Sequence, residues 1–189
     1  MTSSPEEKTP SKQTAAQARA EFEANRAASA EARRERMDTA FGAGIPGRAI
    51  GIISWSATAV FAVVTAAAVI NPKQFIGEFF LVAVGFFAAG SLLFAADIAL
   101  AAARSRDDLM GIGGLFFLSG CAPRSVQLGL LGSLIAQLVI ACSGAVARPF
   151  TPLAFGILVP VLGLSLCGFW AVRYGLFPAQ QQQPARRKS

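Results

Sequence analysis

No histidine occurs anywhere in the 189 residues, and only 15% of them are charged. The first absence removes His-based triads, the usual histidine general base and most zinc and haem ligation schemes. Cysteine is nearly as scarce. Cys121, Cys142 and Cys167 are odd in number, too widely spaced for a metal knuckle or a CxxC redox pair, and set in apolar surroundings where a thiol serves as a small hydrophobe. The shortage of charge excludes most: soluble domains carry about 25% charged residues, whereas 53% of this chain is hydrophobic. Beyond Ala49 the apolar residues gather in four long blocks. The expected fold is all-α: a polytopic membrane protein with four transmembrane helices, arranged as two antiparallel hairpins behind a polar N-terminal helical head.

The formal charge of +6 does not point to nucleic acid. Residues 1–47 hold seven basic and seven acidic side chains and are neutral. The excess lies beside the hydrophobic blocks, where basic residues set membrane orientation.

The head divides in two. Residues 1–12 offer almost nothing to bury and are expected to be disordered. Residues 13–47 read as a cytoplasmic charged helix and an interfacial linker: strong helix formers without Pro or Gly run from Gln13 to Met37, and FGAGIPG at 41–47 breaks the pattern. Phe22 is the only large apolar side chain before Met37, so this segment builds no core of its own and Phe22 is its candidate for docking to a partner. Arg33, Arg34 and Arg36 are placed to hold the head at an anionic surface. A secretory signal is not expected, because nearly fifty polar-rich residues precede the first apolar block.

Residues 48–174 form the expected membrane domain, with spans at 49–70, 79–103, 126–146 and 153–172; each is long enough to cross about 30 Å of hydrocarbon at about 1.5 Å per residue. Pro160 predicts a kink or local break in the fourth. Residues 109–123, short and punctuated by glycine, read as an interfacial or re-entrant segment. Residues 175–189 read as a disordered basic tail. Arg33, Arg34, Arg36, Arg48, Arg104, Arg106, Arg124, Arg173, Arg186, Arg187 and Lys188 fall on one side of this topology, and only Lys73 and Arg148 on the other. The positive-inside rule therefore places both termini in the cytoplasm of a bacterial inner (plasma) membrane.

Within the spans, Asp97 is the clearly internal acid. A carboxylate in apolar surroundings needs water, a partner or a proton, and Arg104, Arg106 and Arg124 are its candidate ion-pair partners. Glu78 lies close to Lys73 at the outer end of the second span. Gly85, Ala89, Gly129, Gly132, Gly156 and Gly163 are candidate helix-packing positions, because small residues let membrane helices approach closely. Gln127 and Gln137 are polar but do not line one face, and Ser54, Ser56, Ser133 and Ser143 add only weak hydrogen-bonding options. No HExxH, no paired intramembrane carboxylates and no nucleophile with an identifiable base occur, and GAGIPG and GIGG lack the lysine and strand context of phosphate-binding loops. These patterns predict a protein that is not an enzyme, with no cofactor and no metal.

Four spans without large loops resemble the small multidrug exporters, which carry a transport carboxylate in the first helix; Ala49–Ile70 holds no acid. The Ala/Arg/Glu-rich head EFEANRAASAEARRERM, the Gly/Ala-rich spans and the tail QQQPARRKS resemble actinobacterial integral membrane proteins, among them the small accessory subunits of mycobacterial Mce lipid importers. That resemblance covers the spans, rests on architecture, and implies a non-enzymatic partner beside a larger permease; no site residue is carried over from it. Two functions stand at this point: an accessory or structural subunit packed against other integral membrane subunits, or a small oligomeric secondary transporter or channel using Asp97. Membrane lipids and either other subunits or further copies of the chain are the partners expected.

Overall fold

A backbone crossing hydrocarbon must satisfy its N–H and C=O groups within the segment, which leaves helices or closed barrels. In the computed structural model, which describes residues 15–42, 44–105 and 111–177, the apolar blocks resolve accordingly. Four helical segments are long and apolar enough to span a membrane: Arg48–Ile70, Pro72–Arg104, Arg124–Ala147 and Pro152–Tyr174. The chain is an all-α polytopic membrane protein. Its elements are α1 (Ala15–Phe41), α2 (Arg48–Ile70), α3 (Pro72–Arg104), the short α4 (Ile112–Phe117), α5 (Arg124–Ala147), a 3-10 segment (Pro152–Leu158) and α6 (Pro160–Tyr174).

The connections differ from the expected loops. Asn71 alone separates α2 from α3: its N–H closes α2 on the Ala67 carbonyl, and Pro72 opens α3. Proline is pre-set for a first helical position, where its missing N–H costs nothing. Residues 73–78 are therefore helical, and the span expected at 79–103 lies within a 33-residue helix. At about 1.5 Å per residue, α3 is about 50 Å long and must tilt or project beyond the hydrocarbon. Near that turn, the Arg148 guanidinium donates to the Val69 carbonyl at 2.9 Å, capping the end of α2 from the start of the α5–α6 connection.

Pro160 acts as its chemistry requires. The chain rises from Thr151 as a 3-10 helix and becomes α-helical only at Pro160, because proline cannot donate to a ladder begun before it. Consecutive spans pack as two antiparallel hairpins, yet the most extensive contact runs between hairpins, α3 with the fourth span, and α2 also packs on α5. Helix α6 is the innermost element: half of the most apolar window of its span is buried, against 17% for α3. One core cluster surrounds Leu166, Cys167 and Trp170, and a second surrounds Phe61, Phe79 and Leu153 towards the other end.

The segment at 109–123 contributes one six-residue helix, α4, which packs on α6 through Leu115, Phe116 and Leu118. Cys121 follows it; burial pushes this thiol up to about 11, and its Sγ lies 3.1 Å from the Gly114 carbonyl. Residues 175–177, expected to belong to a disordered tail, are instead held in place. Gly175 is buried, Leu176 N–H donates to the Cys121 carbonyl at 3.0 Å, and the Arg104 guanidinium lies over the Phe177 ring. Two apolar side chains and a free backbone donor are enough to hold these three residues down. The tails at 1–12 and 178–189 lie outside the described residues.

Helix α1 as far as Ala40 is a unit by itself, and the remainder from Phe41 is a second. The described side chains of α1 are almost all exposed, with Phe22 68% exposed, and Ser29 and Thr39 return hydrogen bonds to carbonyls one turn back. A helix polar on all sides has no apolar stripe with which to build a core of its own.

Candidate functional site

Apart from Ser165, the buried polar residues among the described part of the bundle fall into two groups. Between α2 and α5, Gln137 Nε2 donates to Thr58 Oγ1 at 2.9 Å, and Thr58 donates to the Ser54 carbonyl. The Ser54 and Ser133 hydroxyls meet at 2.5 Å, and Ser133 donates to the Leu130 carbonyl, which leaves Ser54 as donor in the pair. These side chains, all fully or nearly fully buried, form a polar seam joining the two hairpins. Hydrogen bonds of this kind contribute on average about 0.6 kcal/mol in a membrane protein, so the seam fixes register more than it adds stability. The sequence reading missed it. Its trace was the spacing of 54, 58 and 65 on α2 and of 133, 137 and 144 on α5, steps of four and seven that hold one helix face.

The second group centres on Asp97. Its carboxyl is fully buried between α3, α6 and α4, and neither oxygen has a hydrogen-bond donor among the described residues. Gly168 makes the room: a Cβ there would lie 2.8 Å from Asp97 Oδ2. Phe116 of α4 covers the site and stacks on Phe94 at 5.1 Å. No hydrogen bond joins this carboxyl to Arg104 or Arg124, two of its three proposed partners. The Arg104 guanidinium, one to two turns further along α3, donates to the carbonyls of Val172 at 2.5 Å and Gly175 at 3.1 Å, filling acceptors left open at the end of α6. Arg124 is exposed at the first turn of α5, and Arg106 lies outside the described residues.

The six candidate packing positions separate by environment. Gly163 and Gly156 are contacts in the bundle: a Cβ would lie 2.7 Å from Gln137 Oε1 at the first, and 3.1 and 3.3 Å from the rings of Phe79 and Phe61 at the second. Gly132 has only an ordinary 3.7 Å approach to Trp55. Gly85 and Gly129 would meet nothing within 4 Å, and Gly85 and Ala89 are exposed on α3, so they do not pack within the chain. The closest helix crossing is instead at Gly90, where a Cβ would lie 2.6 Å from the Leu162 backbone nitrogen; Ser165 Oγ donates to the Gly90 carbonyl at 2.7 Å across it.

A groove of about 890 Å³ runs along the first halves of α2 and α5, lined by Gly47, Arg48, Gly51, Ile52, Trp55, Ser56, Ser125, Val126 and Gly129. Trp55 Nε1 donates to the Gly129 carbonyl at 3.1 Å, and Trp170 Nε1 donates to the Pro46 carbonyl. Gly47 is a required glycine: its φ is +76°, and a Cβ would strike Trp170 and Tyr174. Arg48, Arg104, Arg124 and Arg173 belong to this end of the bundle, whereas Arg148 caps the opposite end.

The chain matches no protein-family model, no curated protein and no solved structure.

Proposed function

We propose that the protein is a non-enzymatic accessory subunit of the bacterial plasma membrane, packed against a larger membrane complex and oriented with both termini in the cytoplasm. The observation that carries this reading is the outer face of α3. Gly85 and Ala89, four residues apart, stand open there among the exposed Leu81, Val84 and Leu92, and such a pair lets a second membrane helix approach closely. The exposed α1, with Phe22 uncovered, offers a second surface outside the bilayer. The arginines gathered at one end support the orientation. A lipid importer is the class of complex implied by the architectural resemblance to the Mce accessory subunits.

The test is gentle detergent extraction from the native membrane, comparing the wild-type chain with Gly85→Leu. The wild type is expected to carry other integral membrane proteins through purification. The variant, whose new side chain enters open space, is expected to fold equally well and to purify without them. A wild-type preparation containing only copies of this chain would overturn the accessory role.

One observation favours a second reading. A fully buried acid with no donor among the described residues, Asp97, is what an oligomeric transporter or channel would hold on its ion path.

A further inference from the structure

The groove between α2 and α5 combines two properties that point to one class of ligand. Its walls are apolar and concave, because Gly51 and Gly129 present no side chain and a Cβ at either would meet nothing within 4 Å. Its one charged lining residue is basic. Arg48 opens α2, and Arg124 opens α5 immediately before the lining Ser125; neither has a partner among the described residues. Both helices begin here without a side-chain cap, after Gly47 and Pro123, so two sets of unpaired backbone N–H groups add to the positive field. Deeper in the groove, Trp55 spends its N–H on the Gly129 carbonyl and turns an apolar ring towards the space.

We infer that this groove holds an anionic phospholipid drawn from the surrounding bilayer, its phosphate beside Arg48 and Arg124 and an acyl chain along Gly51, Ile52, Trp55 and Gly129. Charge complementarity selects the occupant. A zwitterionic lipid brings its own cation to the arginines, and a neutral helix leaves two cations and two helix starts unanswered. The volume lies within the range of small-molecule sites, about 300–1,000 Å³. The lipid site goes beyond the accessory role and holds for either function.

Trp55 supplies the readout. The full-length protein is reconstituted in phosphatidylcholine vesicles, and a fraction of the lipid is replaced by phosphatidylglycerol or phosphatidylcholine brominated on the acyl chain, which quenches nearby indole fluorescence. The brominated phosphatidylglycerol is expected to quench half-maximally at a mole fraction about thirtyfold lower, given about 1 kcal/mol for each of the two basic residues near an anionic headgroup. Trp55→Phe is expected to remove most of the quenching, leaving only the weak contribution of the buried Trp170, which also borders the groove. The double variant Arg48→Gln/Arg124→Gln is expected to bring the two lipids together, and Gly51→Leu, which fills the groove, to weaken quenching by both. Equal quenching by the two lipids in the wild type would overturn the proposal. So would displacement by soluble glycerol phosphate, which would make this a free-phosphate site, or a Trp55 dark to both lipids, which would mean that protein covers the groove.

Discussion

Replacing Gly90 by leucine is expected to prevent assembly of the bundle, whereas the same change at Gly85, five residues away on the same helix, is expected to leave it intact. At Gly90 the added Cβ would lie 2.6 Å from the backbone nitrogen of Leu162 and 2.8 Å from its Cα. A side chain can swing away from such an approach, but a backbone cannot, so α3 and α6 would have to separate. Separation would break the Ser165 hydrogen bond to the Gly90 carbonyl and loosen the core against Leu166 and Trp170. The cost is expected at or beyond the upper end of the ~1–3 kcal/mol usual for overpacking. At Gly85 the added atoms meet nothing, and the change is expected to stay within about 0.5 kcal/mol, as for exposed substitutions generally. The fraction of monodisperse protein recovered after detergent extraction and stepwise heating measures both. Equal recovery of the two variants would show that α3 does not cross α6 at Gly90.

Arg104→Ala is expected to produce the next largest loss. The guanidinium ties the end of α3 to the end of α6 through the carbonyls of Val172 and Gly175, and lies 5.7 Å from the centre of the Phe177 ring. Hydrogen bonds from a charged donor contribute about 1.5–3 kcal/mol each. Partial solvent access at the bundle end reduces that figure, leaving an expected destabilisation of about 2–4 kcal/mol. Arg104→Lys is expected to recover less than half, because an ammonium cannot span two carbonyls as a planar fork does. The midpoint of thermal unfolding in detergent reports both. Full rescue by lysine would mean that charge alone, without the two-carbonyl geometry, holds this corner.

These two residues also show what could be read from the sequence. Arg104 was legible as a basic residue at a membrane boundary, because hydropathy and charge asymmetry mark where helices leave the bilayer. Its acceptors were not, because they are backbone atoms at the end of a helix nearly seventy residues away. Glycine was legible as a packing residue in kind but not in direction. In a soluble protein the polar face of a helix tells the core from solvent; in a membrane span both surroundings are apolar, so Gly85, which faces outward, and Gly90, which meets α6, look alike in the sequence. The same loss of contrast hid the Ser54–Ser133 and Thr58–Gln137 pairs. Pro160 was read correctly because its effect is covalent and local. Pro72 was not, because the polar residues after it resemble a loop, although their backbone continues as α3.

The residue that divides the two functional readings is Asp97. Around it, Gly168 and Phe116 leave the carboxyl tightly enclosed, and in the α2–α5 seam the Ser54, Ser133, Thr58 and Gln137 Nε2 groups are taken up by hydrogen bonds, while Gln137 Oε1 accepts none among the described residues. On the proposed accessory role, the chain is expected to carry no current of its own. The direct measurement is proton flux into vesicles holding the purified chain, with a pH-sensitive dye inside and an imposed pH gradient, for the wild type and Asp97→Asn. Flux indistinguishable from empty vesicles is expected for both. Flux above that background in the wild type, lost in Asp97→Asn, would contradict the accessory role and make Asp97 part of a transport path.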